Sequence, residues 1–346
     1  MFDSDPARYA YFDGDGDGVA CEDLPGRPVP TTTLPPLAVP SVEDVIEPTR
    51  RYYGVHTREA PFWMADFDEF ATDAGKTPNL DMFFMSLGEP FPAAQVDALW
   101  ARGILPVITF EPIVHCSSDP APIPDYDCTR GQPKLADISS GMFDAYFAEW
   151  SAAAAANGKP VVLRFAHEMN GNWYSWGGTS PGNVATDYVP AWRHVHDLFE
   201  AQGASNVVWF WSVNRVDNQK DPSVVKYYPG DAYVDWVGMS AYYRYDNVEP
   251  TFDAIFLGTL AELKKAAPTK PVIIGETAAS TSNSLRVAWT NDFFAGLLEH
   301  PEIWGFVWFN DRTTSNDWRI QYSTEMQAAF AAGVAEPRYG AGASAG

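Results

Sequence analysis

From Arg50 onward, short apolar runs recur at intervals of a few tens of residues, and the stretches between them carry apolar side chains at helical spacing. Eight runs have strand length: residues 52–56, 80–87, 104–110, 161–165, 207–213, 236–242, 272–275 and 303–309. Their hydrophobicity is continuous and does not alternate, as in parallel strands covered on both faces by crossover helices. Residues 142–156, 184–201 and 252–267 read as helices. Eight β-α units over about 290 residues predict an α/β chain folded as a (β/α)8 TIM barrel, a fold of ~250 residues plus insertions. An open doubly wound sheet is the alternative. It would more often show a glycine-rich phosphate turn after its first strand, and Tyr52-Tyr53-Gly54-Val55-His56 is not one.

Upstream of the first run the pattern breaks. Prolines at 25, 28, 30, 35, 36, 40 and 48 surround Thr31, Thr32 and Thr33, which predicts a semi-rigid extended linker. The expected organisation is a small N-terminal unit at 1–24, a linker at 25–49, the barrel at 50–339 and a flexible tail at 340–346. Of 346 residues, 45 are acidic and 23 basic, giving a formal charge of −22 that repels nucleic acids and anionic sugars. With 46% apolar and 20% charged residues the chain can bury a sizeable core. No stretch approaches the ~20 apolar residues of a membrane helix, so no membrane insertion is expected. Met1-Phe2-Asp3-Ser4-Asp5 has neither the basic nor the apolar part of a signal peptide.

Cys116 and Cys128 bracket a loop rich in Pro, Ser and Asp. They are read as a disulfide made in an oxidising compartment, with two free thiols as the alternative. Cys21 has no evident partner, and an odd cysteine near an abrupt start suggests that a preceding segment, a signal peptide among the candidates, has been removed. A secreted, extracellular protein is expected.

Catalytic groups of a (β/α)8 barrel stand at the C-terminal ends of strands. The fourth run leads into Arg164-Phe165-Ala166-His167-Glu168-Met169-Asn170-Gly171-Asn172-Trp173, and the seventh into Gly275-Glu276-Thr277. Glu168 and Glu276 would face each other across the mouth, the arrangement glycoside hydrolysis needs. One carboxyl protonates the leaving oxygen while the other attacks the anomeric carbon, and a separation of about 5–5.5 Å gives a covalent intermediate with retention. The plainer alternative pairs both with Arg164 or a lysine as fold-stabilising bridges, although such charges belong at the opposite face. His167-Glu168 does not complete a zinc-protease motif, because Gly171 stands where the second histidine is required. His194 and His196, two apart on a helix, read as surface or packing residues.

The fourth-strand stretch resembles the signature of glycoside hydrolase family 26, the β-mannanase family of retaining (β/α)8 enzymes. The resemblance covers about residues 50–339 and includes Trp211-Ser212-Val213-Asn214, Tyr242-Tyr243, Ile274-Gly275-Glu276, Trp308-Phe309-Asn310 and Asn316-Asp317-Trp318-Arg319. It implies Glu168 as general acid/base and Glu276 as nucleophile. It also implies that His167 hydrogen-bonds near the nucleophile or the sugar, with Arg164 and Asn172 of the same motif in the substrate-binding set. Tyr242 or Tyr243 resembles the tyrosine that hydrogen-bonds the nucleophile, and strand alternation lets only one point inward. Trp173 and Trp308 resemble sugar-stacking tryptophans, a role suited to a flat indole with a polar N–H. At the third strand, Thr109-Phe110-Glu111-Pro112 departs from the histidine common in the family's mannanases and is more similar to its mixed-linkage glucanases. Glu111 is read as a third acidic sugar-binding group or a partner for Arg164.

The implied function is endo-acting, retaining hydrolysis of a neutral β-linked polysaccharide, without a cofactor for catalysis and by a monomer. β-1,4-Mannan comes first, and β-1,3-1,4-glucan or β-1,3-xylan are the alternatives. A reading of another class is a non-catalytic carbohydrate-binding barrel at a cell surface, which would need none of the two carboxylates, His167 and tyrosine together.

In the N-terminal unit, Asp13-Gly14-Asp15-Gly16-Asp17-Gly18-Val19-Ala20-Cys21-Glu22 resembles the first half of a calcium loop. Leu24 occupies the twelfth position, where an EF-hand needs Glu. The stretch is more similar to the extracellular excalibur calcium-binding domain, here truncated before its upstream cysteine. That resemblance implies a structural Ca2+ on Asp13, Asp15, Asp17 and Glu22; a solvated acidic loop is the alternative.

Overall fold

The structure is a computed structural model and describes residues 38–116, 123, 126–216, 223–314 and 316–340. The expected calcium segment, Cys21, most of the expected linker and nearly all of the tail lie outside the described residues.

All eight apolar runs form strands: β1 (Tyr52–His56), β2 (Leu80–Leu87), β3 (Leu105–Val114), β4 (Val161–Phe165), β5 (Val207–Asn214), β6 (Trp236–Ser240), β7 (Val272–Thr277) and β8 (Ile303–Phe309). They pair in parallel and in sequence order, and β8 returns to β1, closing the barrel. The helices are α1 (Val42–Ile46), α2 (Ala65–Asp73), α3 (Ala93–Ala101), α4 (Leu135–Ser139), α5 (Asp144–Asn157), α6 (Tyr188–Ala201), α7 (Phe252–Ala266), α8 (Arg286–Glu299) and α9 (Thr324–Val334). Three of them fall where the spacing predicts helix, although α6 begins at Tyr188 and not at 184, because a short 3-10 turn, Ala185–Asp187, comes first.

Closure needs close strand approach in places. A Cβ on Gly238 would lie 1.8 Å from the Ile273 carbonyl, so only glycine lets β6 and β7 meet there. Outside the strands, a shell of aromatic side chains including Trp150, Trp192, Trp289, Phe293 and Phe330 packs the helices onto the barrel. His194 bonds Asp144 at 2.6 Å and His196 packs on Trp209 and Tyr233, so both belong to the helical layer.

The expected linker does not run unbroken to residue 49. Ser41 and Asp44 form a capping box that starts α1, and Val45 is fully buried. The Tyr52 hydroxyl donates to the Val45 carbonyl (2.9 Å) and the Trp236 indole to the Ile46 carbonyl (3.1 Å), so α1 is part of the barrel. Residues 41–47 lack proline, which allows a helical turn that the flanking prolines obscure. At the opposite face, a Cys116–Cys128 disulfide joins the loop after β3 to the turn Cys128–Arg130.

Candidate active site

The end of β4 is built against ordinary backbone preference. Ala166 and Glu168 have φ of 44° and 55°, in the left-handed region that non-glycine residues avoid. Such a conformation costs on the order of 1–3 kcal/mol and persists only where the surroundings enforce it. Here they do. The Ala166 amide donates to Phe110 and the Glu168 amide to Ser212, both at 2.9 Å, which fixes the turn to β3 and β5. The Trp176 indole donates to the His167 carbonyl (2.7 Å), and Asn170 exchanges two bonds with the Asn214 backbone (2.7 and 2.8 Å).

This turn aims Glu168 into a cleft of about 1040 Å³ at the C-terminal face, where Glu276 of β7 also opens. One oxygen of each carboxylate and a ring nitrogen of His167 lie within 4.8 Å of one another. Trp173 donates its indole N–H to Glu168 Oε2 at 2.9 Å. Burial, and then the charge of Glu276, push the Glu168 carboxyl above its usual range, against opposing hydrogen bonds from Ser240 and Asn214. Glu276 accepts from Arg164 at Oε1 and from the Tyr242 hydroxyl at Oε2, each at 2.5 Å. Burial and the neighbouring Glu276 raise the Tyr242 phenol well above its ordinary value, so it stays protonated and donates to that carboxylate.

Arg164 lies inside the barrel, fully buried, where it also donates to Ser240 (2.7 Å) and Thr109 (3.3 Å). A Cβ on Gly275 would come within 3.0 Å of Arg164 Nε, so the glycine before Glu276 leaves room for the guanidinium. Arg164 therefore sits beneath the site and cannot bind substrate, contrary to expectation. An ion pair with Arg164 was one of the two readings for the carboxylates, and Glu276 forms it at the mouth itself. The same guanidinium already neutralises Glu276, one member of the His167, Glu168 and Glu276 cluster, which disfavours a metal there.

His167 is likewise buried and does not line the cleft. Burial, reinforced by Arg164, holds its pKa well below the ordinary value, so the ring is neutral. It bonds the Tyr174 hydroxyl at 3.2 Å and stands 3.8 Å from Glu276 Oε1, so of its two expected positions it takes the one near Glu276 and not one on the sugar. Between the two tyrosines the structure selects Tyr242. Tyr243 faces the helices, stacked on Trp289, with its hydroxyl on the Val248 carbonyl (2.9 Å).

Asn172 and Trp173 line the cleft. Trp308 does not. Its exposure is 0%, its indole donates to the Trp318 carbonyl (3.3 Å), and it packs on Phe330, because alternation along β8 turns it outward. The neighbour Phe309, together with Trp318, lines the cleft in its place. Glu111 ends in the mouth region without pairing with Arg164, whose bonds go to Glu276, Ser240 and Thr109. Burial first, and then the charge of Glu276, push the Glu111 carboxyl up to about 7, against the opposing pull of Arg164.

Residues that the sequence reading did not assign also line the cleft, among them Phe84, Tyr174, Asn214, Ser240, Arg244 and Trp318. Asn214 and Trp318 lay within quoted motifs. Tyr174 follows the quoted motif directly and stacks in parallel on Trp176, with centroids 4.2 Å apart.

The fold and site define a closed (β/α)8 barrel with two buried carboxylates opposed at the ends of β4 and β7. The sequence profile of glycosyl hydrolase family 26 matches residues 137–300. Endoglucanase H of Acetivibrio thermocellus is 31% identical over 242 residues, 68% of this chain and 25% of that protein. A mannan endo-1,4-beta-mannosidase of Bacillus subtilis is 29% identical over 161 residues, 44% of this chain and 40% of that protein. The chain thus spans between a quarter and two-fifths of the length of these relatives. Among solved structures, a GH26 beta-mannanase from Bacteroides ovatus shares the fold with a TM-score of 0.64 and 18% identity, covering 86% of this chain and 92% of that one. The chain is thus similar, over residues 137–300, to the catalytic domains of glycosyl hydrolase family 26.

Proposed function

We propose that the barrel is an endo-acting, retaining β-glycoside hydrolase of a neutral polysaccharide, with β-1,4-mannan as substrate. The observation that carries this reading is the pair of buried carboxylates with oxygens within 4.8 Å, each in a different environment. Such closeness suits direct attack by one carboxylate and leaves no room for an intervening water. Glu168, whose proton is held more tightly through burial and the charge of Glu276, donates it to the leaving oxygen as Glu276 attacks the anomeric carbon. Arg164 and Tyr242 hold both oxygens of Glu276 in place for that attack. Once Glu276 is esterified its charge is gone, and with it one cause of the raised Glu168 pKa. Glu168 then loses its proton more readily and is suited to act as the base that activates water in the second step.

A second substrate reading, mixed-linkage β-glucan, is favoured by one specific comparison: of the two sequence relatives described above, the one aligned over more of the chain, 68%, is named an endoglucanase. Glu111 at the third strand points the same way. The open cleft, lined by Trp173, Tyr242, Phe309 and Trp318, supports binding along a chain and not at its end. We place the protein outside the cell, in keeping with its disulfide, and read the N-terminal acidic segment as a calcium-binding appendage.

Product analysis on mannan, glucomannan, lichenan and β-1,3-xylan assigns the linkage. Glu276→Ala should abolish turnover, whereas Glu168→Ala should keep activity on aryl glycosides whose leaving group needs no proton. Azide should rescue Glu168→Ala as the β-glycosyl azide; an α-azide would overturn the retaining assignment.

A further inference from the structure

We infer that Phe62 and Trp63 form a distal platform for the polysaccharide chain, outside the cleft, on the rim of the barrel mouth. The inference rests on the glycosidase reading and extends it to residues that no motif singles out. The two side chains follow β1 and are 52% and 62% exposed. Adjacent large aromatic side chains both turned to water are unusual on a surface whose other tryptophans are mostly buried.

Their position argues for the same ligand as the cleft. The loop after a barrel strand lies on the catalytic face, so Trp63 shares that face with Glu168 and Glu276. In the closed ring β1 stands across from β5. A chain entering over the β5 and β6 loops, past Arg215 and Tyr245, crosses the carboxylates and continues toward the β8 and β1 side. There the β8 segment supplies Thr313, Asn316 and Trp318 to the cleft wall. Arg58 ties the β1 loop to that segment, pairing with Asp311 through Nε (2.9 Å) and Nη2 (3.2 Å) and donating also to the Arg312 carbonyl. Arg58 thus links the loop that carries Phe62 and Trp63 to the segment that lines the cleft.

The loop is held as well as placed. Its Glu59 amide donates to Asp66 Oδ2 (2.8 Å), the Trp63 amide donates to the Glu59 carbonyl (2.9 Å), and the Phe62 ring rests edge-on against Phe83 at 6.3 Å. A fixed ring stacks on the apolar face of a pyranose without an ordering cost, which a mobile side chain would incur. The ligand class is a β-linked neutral glycan several residues long, since a short oligosaccharide seated at the carboxylates would not reach the β1 loop.

Kinetics on long and short substrates test the idea with Trp63→Ala and the double variant Phe62→Ala/Trp63→Ala. On soluble polymer, kcat/KM should fall roughly five- to tenfold, chiefly through KM, while an aryl disaccharide is turned over as by wild type. Trp63→Tyr should restore most of the loss, and Tm of Trp63→Ala should stay unchanged because that ring is mostly exposed to solvent. Equal losses on polymer and disaccharide, or no loss on polymer, would overturn the inference. Affinity electrophoresis through gels containing mannan or lichenan gives a readout free of turnover. Retardation should weaken in the variants, and unchanged retardation also overturns the platform. If wild type is retarded but hydrolyses nothing, the glycosidase reading fails while the platform stands.

Discussion

Arg164 shows how much of a site is made by residues that touch no substrate. The sequence places it four residues before the acid/base candidate, and only the closed barrel reveals that it points inward to Glu276. The same limit explains Trp308 and Phe309. Both belong to one motif, and the strand pleat, which composition does not encode, decides which of them meets the cleft. Trp308→Ala should therefore lower stability by about 3–5 kcal/mol through the cavity it leaves. Trp173→Ala, half exposed at the cleft, should lower kcat/KM with Tm nearly unchanged; thermal melts and steady-state kinetics on both variants would separate the roles.

Glu111 carries a pH signature. The unfolded chain releases this proton near 4.5, whereas the folded protein keeps it to about 7, so stability is lost progressively as pH rises between those values. Glu111→Gln removes that loss. Its Tm advantage over wild type should be smallest near pH 4.5 and greatest above pH 7. A constant difference across melts from pH 4.5 to 8 would contradict the burial of this carboxyl.

At the scale of elements, the strands were legible because each is buried on both faces and so reads as an unbroken apolar run. The turn after β4 was legible as chemistry but not as shape. Nothing in Ala166 or Glu168 announces a left-handed backbone, which is imposed by Phe110 and Ser212 from neighbouring strands. α1 was hidden for the opposite reason: one helical turn between prolines has too few residues for a period to show. Its contacts give a direct test. A chain beginning at Ala38 keeps α1 and should melt near the full-length temperature. One beginning at Arg50 exposes Tyr52 and Trp236 from below and should melt several degrees lower, because a loss of about 1 kcal/mol shifts Tm by roughly 2–4 °C in a domain of this size class. Equal melting temperatures would show that α1 adds nothing to the barrel.

For the molecule as a whole, the charge of −22 restricts the substrate more than any single side chain does, since an anionic polymer is repelled before it reaches the cleft. The closure of β8 onto β1 has a consequence of another kind. The Arg51 amide donates to the Arg338 carbonyl at 2.9 Å, and Arg51 bridges Tyr339, so the first and last segments of the barrel lie side by side. A peptide joining 340 to 41 would convert the barrel, α1 included, into a circle, and the circle could be reopened at a turn such as Asn157-Gly158-Lys159 without removing a strand pair. The sequence would then begin with β4 and its acid/base candidate and reach β1 after β8. The geometry of the carboxylates depends on the cyclic order of the strands, which such a rearrangement conserves, and not on where translation starts.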